Sequence, residues 1–235
     1  MTDKPSLRDE PSPTNPWRLR PRDQGVFETT RLEIFVDAVL AIALTVLVLN
    51  LSIGEHLGKG GLEHEILRQK YTIAGIGLGF LWITGVWLLN LQIFRILRGV
   101  DHYAVLLTVA WALTITLMPF ATLVLARGLN RPDLWVGVMA VGGVSLLATL
   151  ISWALVHYAF RHGLMVDEVA HDPMSARMLE RGWGLATLLL VVVIAVARFV
   201  PWLAFALLLV NWINVLLPSG LGARGHPGDL GRGQG

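Results

Sequence analysis

The chain has 235 residues, of which 54% are hydrophobic and 15% are charged, and its mean hydropathy is +0.59. A soluble domain of this size needs more charge to cover its surface, so the composition predicts an integral membrane protein. The net charge of +2 gives no indication of nucleic-acid binding, and a sequence without cysteine has no disulfide, thiolate metal site or cysteine nucleophile.

The apolar segments predict six membrane spans. A helix crosses the roughly 30 Å hydrocarbon core with about 20 apolar residues. The last apolar stretch is too long for one helix, and Arg198 and Pro201 in its middle predict a tight turn between two short spans. One kinked helix is the alternative. The predicted fold class is therefore all-α and polytopic, with spans near 33–53, 71–95, 104–126 and 133–157 and two more within 183–217.

Polar tails flank this membrane domain, which is expected over 31–217. Residues 1–30 are rich in Pro, Arg, Asp and Ser, and 218–235 are rich in Gly, so both tails are predicted to be disordered. With six spans, 13 of the 19 Lys and Arg residues fall on the side of the termini. Since cytoplasmic loops carry an excess of Lys and Arg, we expect a multi-pass protein of the inner (plasma) membrane with both termini cytoplasmic.

The first span carries a narrow stripe at helical spacing. Its members follow steps of four and three residues and alternate small, bulky and hydroxyl side chains: Ala38, Ile42, Thr45, Leu49 and Ser52. One interpretation is a packing seam, in which the threonine bonds its own helix. The other is a pore face, in which several copies of the helix surround an axis and the stripe forms apolar and hydroxyl rings.

Asp37 lies near the start of the same span. It is either an interfacial carboxylate near a helix N-terminus or a buried partner that fixes the helix to its neighbours. Arg31, Arg95 and Arg98 are expected at a similar depth on the same side and are its candidate partners.

At these residues the sequence resembles the transmembrane protein 175 family of potassium channels. Arg31, followed by Phe35-Val36-Asp37 and a small apolar helix, is similar to that family's opening signature of arginine, three residues and Phe-Ser-Asp. The segment WLLNLQIFR from Trp87 to Arg95 resembles the end of its second helix, and the sequence from Met118 to Thr122 resembles the Pro-Phe element of its third. A paired short hairpin at the C-terminus fits as well.

The resemblance implies a K⁺-permeable channel of four identical subunits in a lipid bilayer. Each subunit would have six helices, and the first helix of each would line the pore. K⁺ is then the permeant ion, and no cofactor, metal, enzymatic activity or nucleic-acid partner is expected. Carried over by position, Ile42 is the constriction, Thr45 the hydroxyl layer and Leu49 the next apolar layer. The resemblance also implies an anchoring motif for the pore helix, made of Arg31, Phe35 and Asp37 with Trp87 and Asn90.

Two positions depart from the family pattern. Val36 stands where the signature has serine, which removes a hydroxyl from the anchoring network. The family's second helix carries histidine after the tryptophan, and this chain has Asn90-Leu91-Gln92 there, so Asn90 or Gln92 is a candidate uncharged donor to Asp37.

Other classes of function remain as alternatives. A secondary transporter would need broken helices or polar groups at mid-membrane in several spans. The middles of the spans offer threonines and one serine, Ser145, but no carboxylate. A non-conducting membrane scaffold is a third interpretation. The His157 and His162 cluster after the fourth span is more typical of a solvated loop than of a metal site, and the glycines of AGIGLGF (Ala74 to Phe80) indicate close helix packing rather than nucleotide binding.

Overall fold

The computed structural model describes residues 29–49, 61–166 and 173–216, so almost all of both predicted tails lies outside the described residues. Within these ranges the chain is mainly helical, and its extended structure is confined to isolated bridge residues, among them the pair Leu97 and Met165. We label the described helices α1 (Thr29–Leu49), α2 (Gly61–Arg68), α3 (Lys70–Ile96), α4 (His102–Thr116), α5 (Met118–Gly128), α6 (Leu134–Arg161), α7 (Pro173–Ala197) and α8 (Pro201–Leu216).

Among the described residues, four helical segments are long and apolar enough to cross a membrane, namely α1, α3, α4 with α5, and α6. Shorter apolar helices follow at Arg181–Ala197 and Pro201–Ile213, which gives the expected arrangement of four full spans and two short ones. Mean hydropathies of 1.8 to 2.5 in the four long spans account for this arrangement, because such segments are more stable in hydrocarbon than in water.

The last apolar stretch forms a hairpin, as Pro201 predicted, and the single kinked helix is wrong. Helix α7 ends at Ala197, and α8 begins at Pro201. The first N–H groups of a helix have no carbonyl partner within the helix, so a proline at this position costs no helical hydrogen bond. The charge of Arg198 in the turn is not isolated, since its guanidinium lies 5.2 Å from the centre of the Trp135 ring.

The third span is broken where the sequence places Pro119. Helix α4 ends at Thr116, and α5 begins at Met118 with the proline in its first turn. A proline ring clashes with the carbonyl four residues earlier and has no N–H to donate, so an uninterrupted helix is disfavoured there. The sequence interpretation had placed this proline inside one continuous span.

Glycines let the helices approach closely around α5. A Cβ placed on Gly75 of α3 would lie 2.4 Å from the Cβ of Ala126, and one on Gly79 would lie 2.9 Å from Thr122. A Cβ on Gly137 of α6 would lie 2.4 Å from the Cα of Leu125. The prediction that the glycine run serves helix packing is therefore confirmed at Gly75 and Gly79.

The connections after α3 and after α6 pair with each other. Leu97 and Met165 form an antiparallel bridge. On either side of it, the Arg98 N–H donates to the Leu164 carbonyl at 2.8 Å and the Val166 N–H donates to the Ile96 carbonyl at 3.0 Å. This pair of connections, which we call the clasp (residues 96–98 and 164–166), holds the ends of α3 and α6 together.

Candidate functional site: the uncovered face of the first helix

Helix α1 packs on the rest of the subunit through one face. Its buried residues recur at steps of three and four, as expected for one side of a helix, and they contact α3, α4 and α5: Leu32, Val36, Leu40, Ala43 and Leu47. All five are apolar, so the contact is a dispersion-packed seam within the subunit.

The stripe identified from the sequence lies on the other side of α1. Ile42 is 61% exposed, Leu49 is 79% exposed, and Thr45 and Ala38 are exposed as well. At about 100° per residue the stripe points nearly opposite to the buried face. The structure therefore excludes the stripe from the seam within this subunit. Ser52, its remaining member, lies outside the described residues.

The hydroxyl of Thr45 is bonded to its own helix. Its Oγ1 donates to the Ile42 carbonyl, three residues earlier in the chain, at 2.8 Å. A hydroxyl has one proton and two lone pairs, so donation into the helix leaves the oxygen lone pairs to accept a hydrogen bond or contact a cation.

Asp37 is held by an indole instead of an arginine. The Trp87 Nε1–H of α3 donates to the Asp37 Oδ1 at 3.0 Å. Arg31, Arg95 and Arg98 are all exposed, and among the described residues no ion pair joins any of them to Asp37. The expected arginine partner is therefore wrong, because a hydrogen-bonding ring on the adjacent helix already lies next to the carboxylate.

The remaining residues of the proposed anchoring motif have different environments. Val36 is completely buried in the seam, so the residue that departs from the family serine acts here as a packing group. Phe35 is 44% exposed. Asn90 is buried and faces a cavity inside the subunit, and no hydrogen bond to Asp37 is recorded for it.

Most threonine hydroxyls of the described spans are bonded within their own helices. Five hydroxyls that a transporter could have used donate to carbonyls three or four residues earlier in their own helices: Thr84, Thr108, Thr114, Thr116 and Thr149. Within the described part of the chain no group of His, Asp or Glu has the arrangement of a metal site. Asp167, Glu168, His171 and Asp172 of the histidine cluster lie outside that part.

A polar network at the clasp end of the bundle was missed in the sequence. Asp101 caps α4 by accepting from the Ala104 N–H at 2.9 Å, and it also accepts from the Tyr158 hydroxyl at 2.7 Å. The Tyr158 ring stacks on His162 with their centres 4.0 Å apart. An aspartate directly before an apolar helix is a capping signal that could have located Asp101, but nothing local indicates Tyr158.

The environment of Asp101 changes its acidity. Partial burial acts to raise the pKa of this carboxyl group, but the Ala104 N–H, the Tyr158 hydroxyl and the charge of His162 act in the other direction. Together these partners hold the pKa of Asp101 below its ordinary value.

These features define a polytopic, all-helical membrane protein whose first helix leaves one face uncovered. Residues 31–119 match the family model described as "Endosomal/lysosomal potassium channel TMEM175". The fold matches the crystal structure of a lysosomal potassium-selective channel TMEM175 homolog from Chamaesiphon minutus, with a TM-score of 0.67 and 24% identity over 80% of this chain and 96% of that one.

Two curated relatives add sequence similarity to this likeness in fold. The chain is 28% identical to a potassium channel of Streptomyces collinus over 68% of its own length and 78% of the relative. It is 29% identical to a potassium channel of Chamaesiphon minutus over 53% of its own length, and it spans 62% of that relative. The resemblance to the TMEM175 family is confirmed by these matches.

Proposed function

We propose that this chain is the subunit of a potassium-permeable channel in which several copies, four in the simplest arrangement, place α1 around a common axis. The relatives named above as potassium channels support this activity. The uncovered line of Ile42, Thr45 and Leu49 is the observation that carries the proposal, because a pore-lining helix must keep one face free of its own subunit.

The chemistry of the three layers fits a narrow passive pore. Rings of Ile42 and Leu49 would form apolar constrictions that restrict water and ions. A Thr45 ring between them would offer hydroxyl oxygens to a partly dehydrated cation, since its proton is already donated to the helix. The sequence contains no carbonyl-lined TVGYG filter, so selectivity would depend on these side chains.

We propose that the channel lies in the plasma membrane with both termini cytoplasmic. The first residues of α1 and the clasp end of α3 carry exposed arginines, Arg31, Arg95 and Arg98, and α6 ends at Arg161. An end of the bundle rich in arginine is favoured on the cytoplasmic side. The channel domain would then comprise 31–217, between two cytoplasmic tails.

The reversal potential of the purified protein in a planar bilayer, under a K⁺/Na⁺ bi-ionic gradient, tests this function. Ile42→Asn hydrates the constriction and is expected to raise the conductance several-fold. Val48→Asn is the matched control, since Val48 is 53% exposed but lies to one side of the stripe. Equal conductance in the two folded variants would remove Ile42 from the pore. Silence of the folded wild type would favour a scaffold, and saturable, stoichiometric uptake would favour a transporter.

The absence of cysteine from the sequence allows a clean test of the assembly. Leu49→Cys places one thiol per subunit on the proposed axis, and mild oxidation is expected to link subunits in pairs. Val48→Cys, one residue away, is expected to link several-fold less. Equal linking of both variants would contradict the proposed orientation of α1.

A further inference from the structure

A cavity of about 40 Å³, lined mainly by apolar side chains with a few polar ones among them, lies inside the subunit, away from α1. Helices α3, α4, α6, α7 and α8 line it. Its buried polar side chains are Asn90, Ser145, Ser152, Asn211 and Trp212, of which Ser152 donates its hydroxyl proton to the Ala148 carbonyl. None of the residues that line it belongs to α1, so the cavity is separate from the proposed pore face.

Two polar atoms of this cavity are buried without a protein hydrogen-bond partner. They are the Ser145 Oγ and the Trp212 Nε1, and their residues are 3% and 5% exposed. The five span threonines described above bond their own helices, whereas Ser145 does not. A third buried atom without a partner, Thr187 Oγ1, lies outside this cavity. Unpaired polar atoms in the interior of a membrane protein are unfavourable unless a bound group satisfies them.

The lining sets the chemistry of such a group. No ionisable side chain lines the cavity, so a charged ligand would have no counter-charge. The indole N–H can donate but not accept, whereas a serine hydroxyl and two carboxamides can do both. The ligand must therefore be neutral and must accept hydrogen bonds, and the serine and carboxamide oxygens can also accept one from it.

The volume sets the size. A water molecule needs roughly 10–15 Å³ of this kind of space, so the cavity accommodates about three waters or one compact molecule of comparable size. We propose that the cavity is a binding site for a small uncharged molecule of about three or four non-hydrogen atoms, such as a short carboxamide or alcohol. This ligand would displace water and bond Ser145 and Trp212.

The site has a path to the outside and a connection to the rest of the fold. Leu81, which is 50% exposed, and the half-buried Trp183 are among its lining residues and form its outer rim. Asn90 stands one helical turn after Trp87, the residue that bonds Asp37. A ligand at Asn90 would therefore contact the helix that holds α1.

Acetamide, which is neutral and has four non-hydrogen atoms, is the probe for this site. The full chain in detergent is titrated with acetamide while saturation-transfer NMR and the thermal unfolding midpoint are recorded. Saturable binding in roughly the millimolar range and a rise in the midpoint are expected, since small ligands gain limited free energy and stabilise the state that binds them.

Two variants and a control locate the binding. Ser145→Ala and Asn211→Leu are each expected to weaken acetamide binding at least five-fold. Thr108→Val is the matched control, because Thr108 is equally buried but bonds the Ala104 carbonyl and lies outside the cavity. Ser145→Ala preserves the test if Asn211→Leu fails to fold.

Three outcomes would overturn the proposal. The wild type could show no saturable binding, in which case the cavity holds water alone. The variants could bind as tightly as the wild type, which would place acetamide elsewhere. The cavity could take up xenon in preference to acetamide, as an apolar cavity does. None of these outcomes depends on whether the protein conducts K⁺.

Discussion

The indole of Trp87 donates a hydrogen bond to the carboxylate of Asp37 over a separation of 50 residues in sequence. The bond joins α3 to α1, whose other contacts with the subunit are a seam of apolar side chains. It gives the proposed pore helix a directional tie near its first turns. The consequence is that α1 has a preferred rotation about its own axis, since a rotated helix would carry Asp37 away from the indole.

Trp87→Phe is expected to destabilise the protein by about 1 kcal/mol. The substitution keeps an aromatic ring but removes the donor to a charged group, and the value is at the low end for such bonds because both residues are partly exposed. The thermal unfolding midpoint measures the change. Trp202→Phe is the matched control on an exposed tryptophan. If the loss of stability in the double variant Trp87→Phe/Asp37→Asn equalled the sum of the two single losses, the two side chains would have no interaction energy and the bond would not stabilise the protein.

Thr45→Ala is expected to reduce the preference for K⁺ over Na⁺, because it removes the hydroxyl oxygens from the proposed pore face. Thr45→Ser keeps the hydroxyl and is the matched control, expected to retain the wild-type reversal potential. The measurement is the reversal potential under bi-ionic conditions for the three proteins. Identical values for the alanine and serine variants would exclude Thr45 from ion selection.

Gly75→Ala and Gly77→Ala form a matched pair on one helix. A Cβ at Gly75 would approach the Ala126 Cβ to 2.4 Å, whereas a Cβ at Gly77 meets no atom within 4 Å. We expect Gly75→Ala to destabilise the protein by about 1–3 kcal/mol through overpacking. Gly77→Ala is expected to be neutral or to stabilise by up to about 1 kcal/mol, since alanine is the better helix former. The unfolding midpoint in detergent distinguishes them, and equal effects would contradict the close approach of α3 and α5.

Asp101→Ala is expected to destabilise the protein by about 1–2 kcal/mol, since it removes the cap of α4 and the acceptor of the Tyr158 hydroxyl. Asp133→Ala provides the comparison, because Asp133 occupies the cap position of α6 without a side-chain capping bond. That change is expected to stay within about 0.5 kcal/mol. An equal loss of stability in both variants would mean that the hydrogen bonds of Asp101 to the Ala104 N–H and the Tyr158 hydroxyl do not stabilise the protein.

The acidity of Asp101 gives a pH dependence with a defined sign. Because its pKa is lower in the folded protein than its ordinary value of 3.8, the unfolded chain binds the proton more readily. The stability that Asp101 contributes is therefore complete above 3.8 and is lost as the pH falls below that value through the lower folded-state pKa. The wild type minus Asp101→Asn difference in unfolding midpoint should shrink over this range. A difference that grows on acidification would mean that the pKa of Asp101 is raised in the folded protein and not lowered.

Sequence alone predicted the features that depend on local pattern. The spacing of Ile42, Thr45 and Leu49 fixes one face of a helix, and Pro201 fixes the start of the last helix. Hydropathy could locate the spans because the requirement for about 20 apolar residues is a property of the bilayer. The break before Pro119 followed from the same local chemistry but was not anticipated.

The features that sequence could not supply depend on which helices become neighbours. Charge alone made arginine a candidate partner of Asp37, and only the family resemblance grouped Trp87 with it; the packing of α1 against α3 places the indole beside the carboxylate. The cavity of Asn90, Ser145 and Trp212 joins residues from three helices that are separate in the chain. The residue pattern within one helix does not predict contacts among residues of three separate helices.

The clasp has a mechanical consequence for any movement of the bundle. Backbone hydrogen bonds from Arg98 to Leu164 and from Val166 to Ile96 fasten the end of α3 to the end of α6. A displacement of the end of α6 would therefore displace the end of α3 with it for as long as these bonds hold. Because Trp87 of α3 bonds Asp37, the same displacement would reach the helix of Ile42 and Thr45 through one further hydrogen bond.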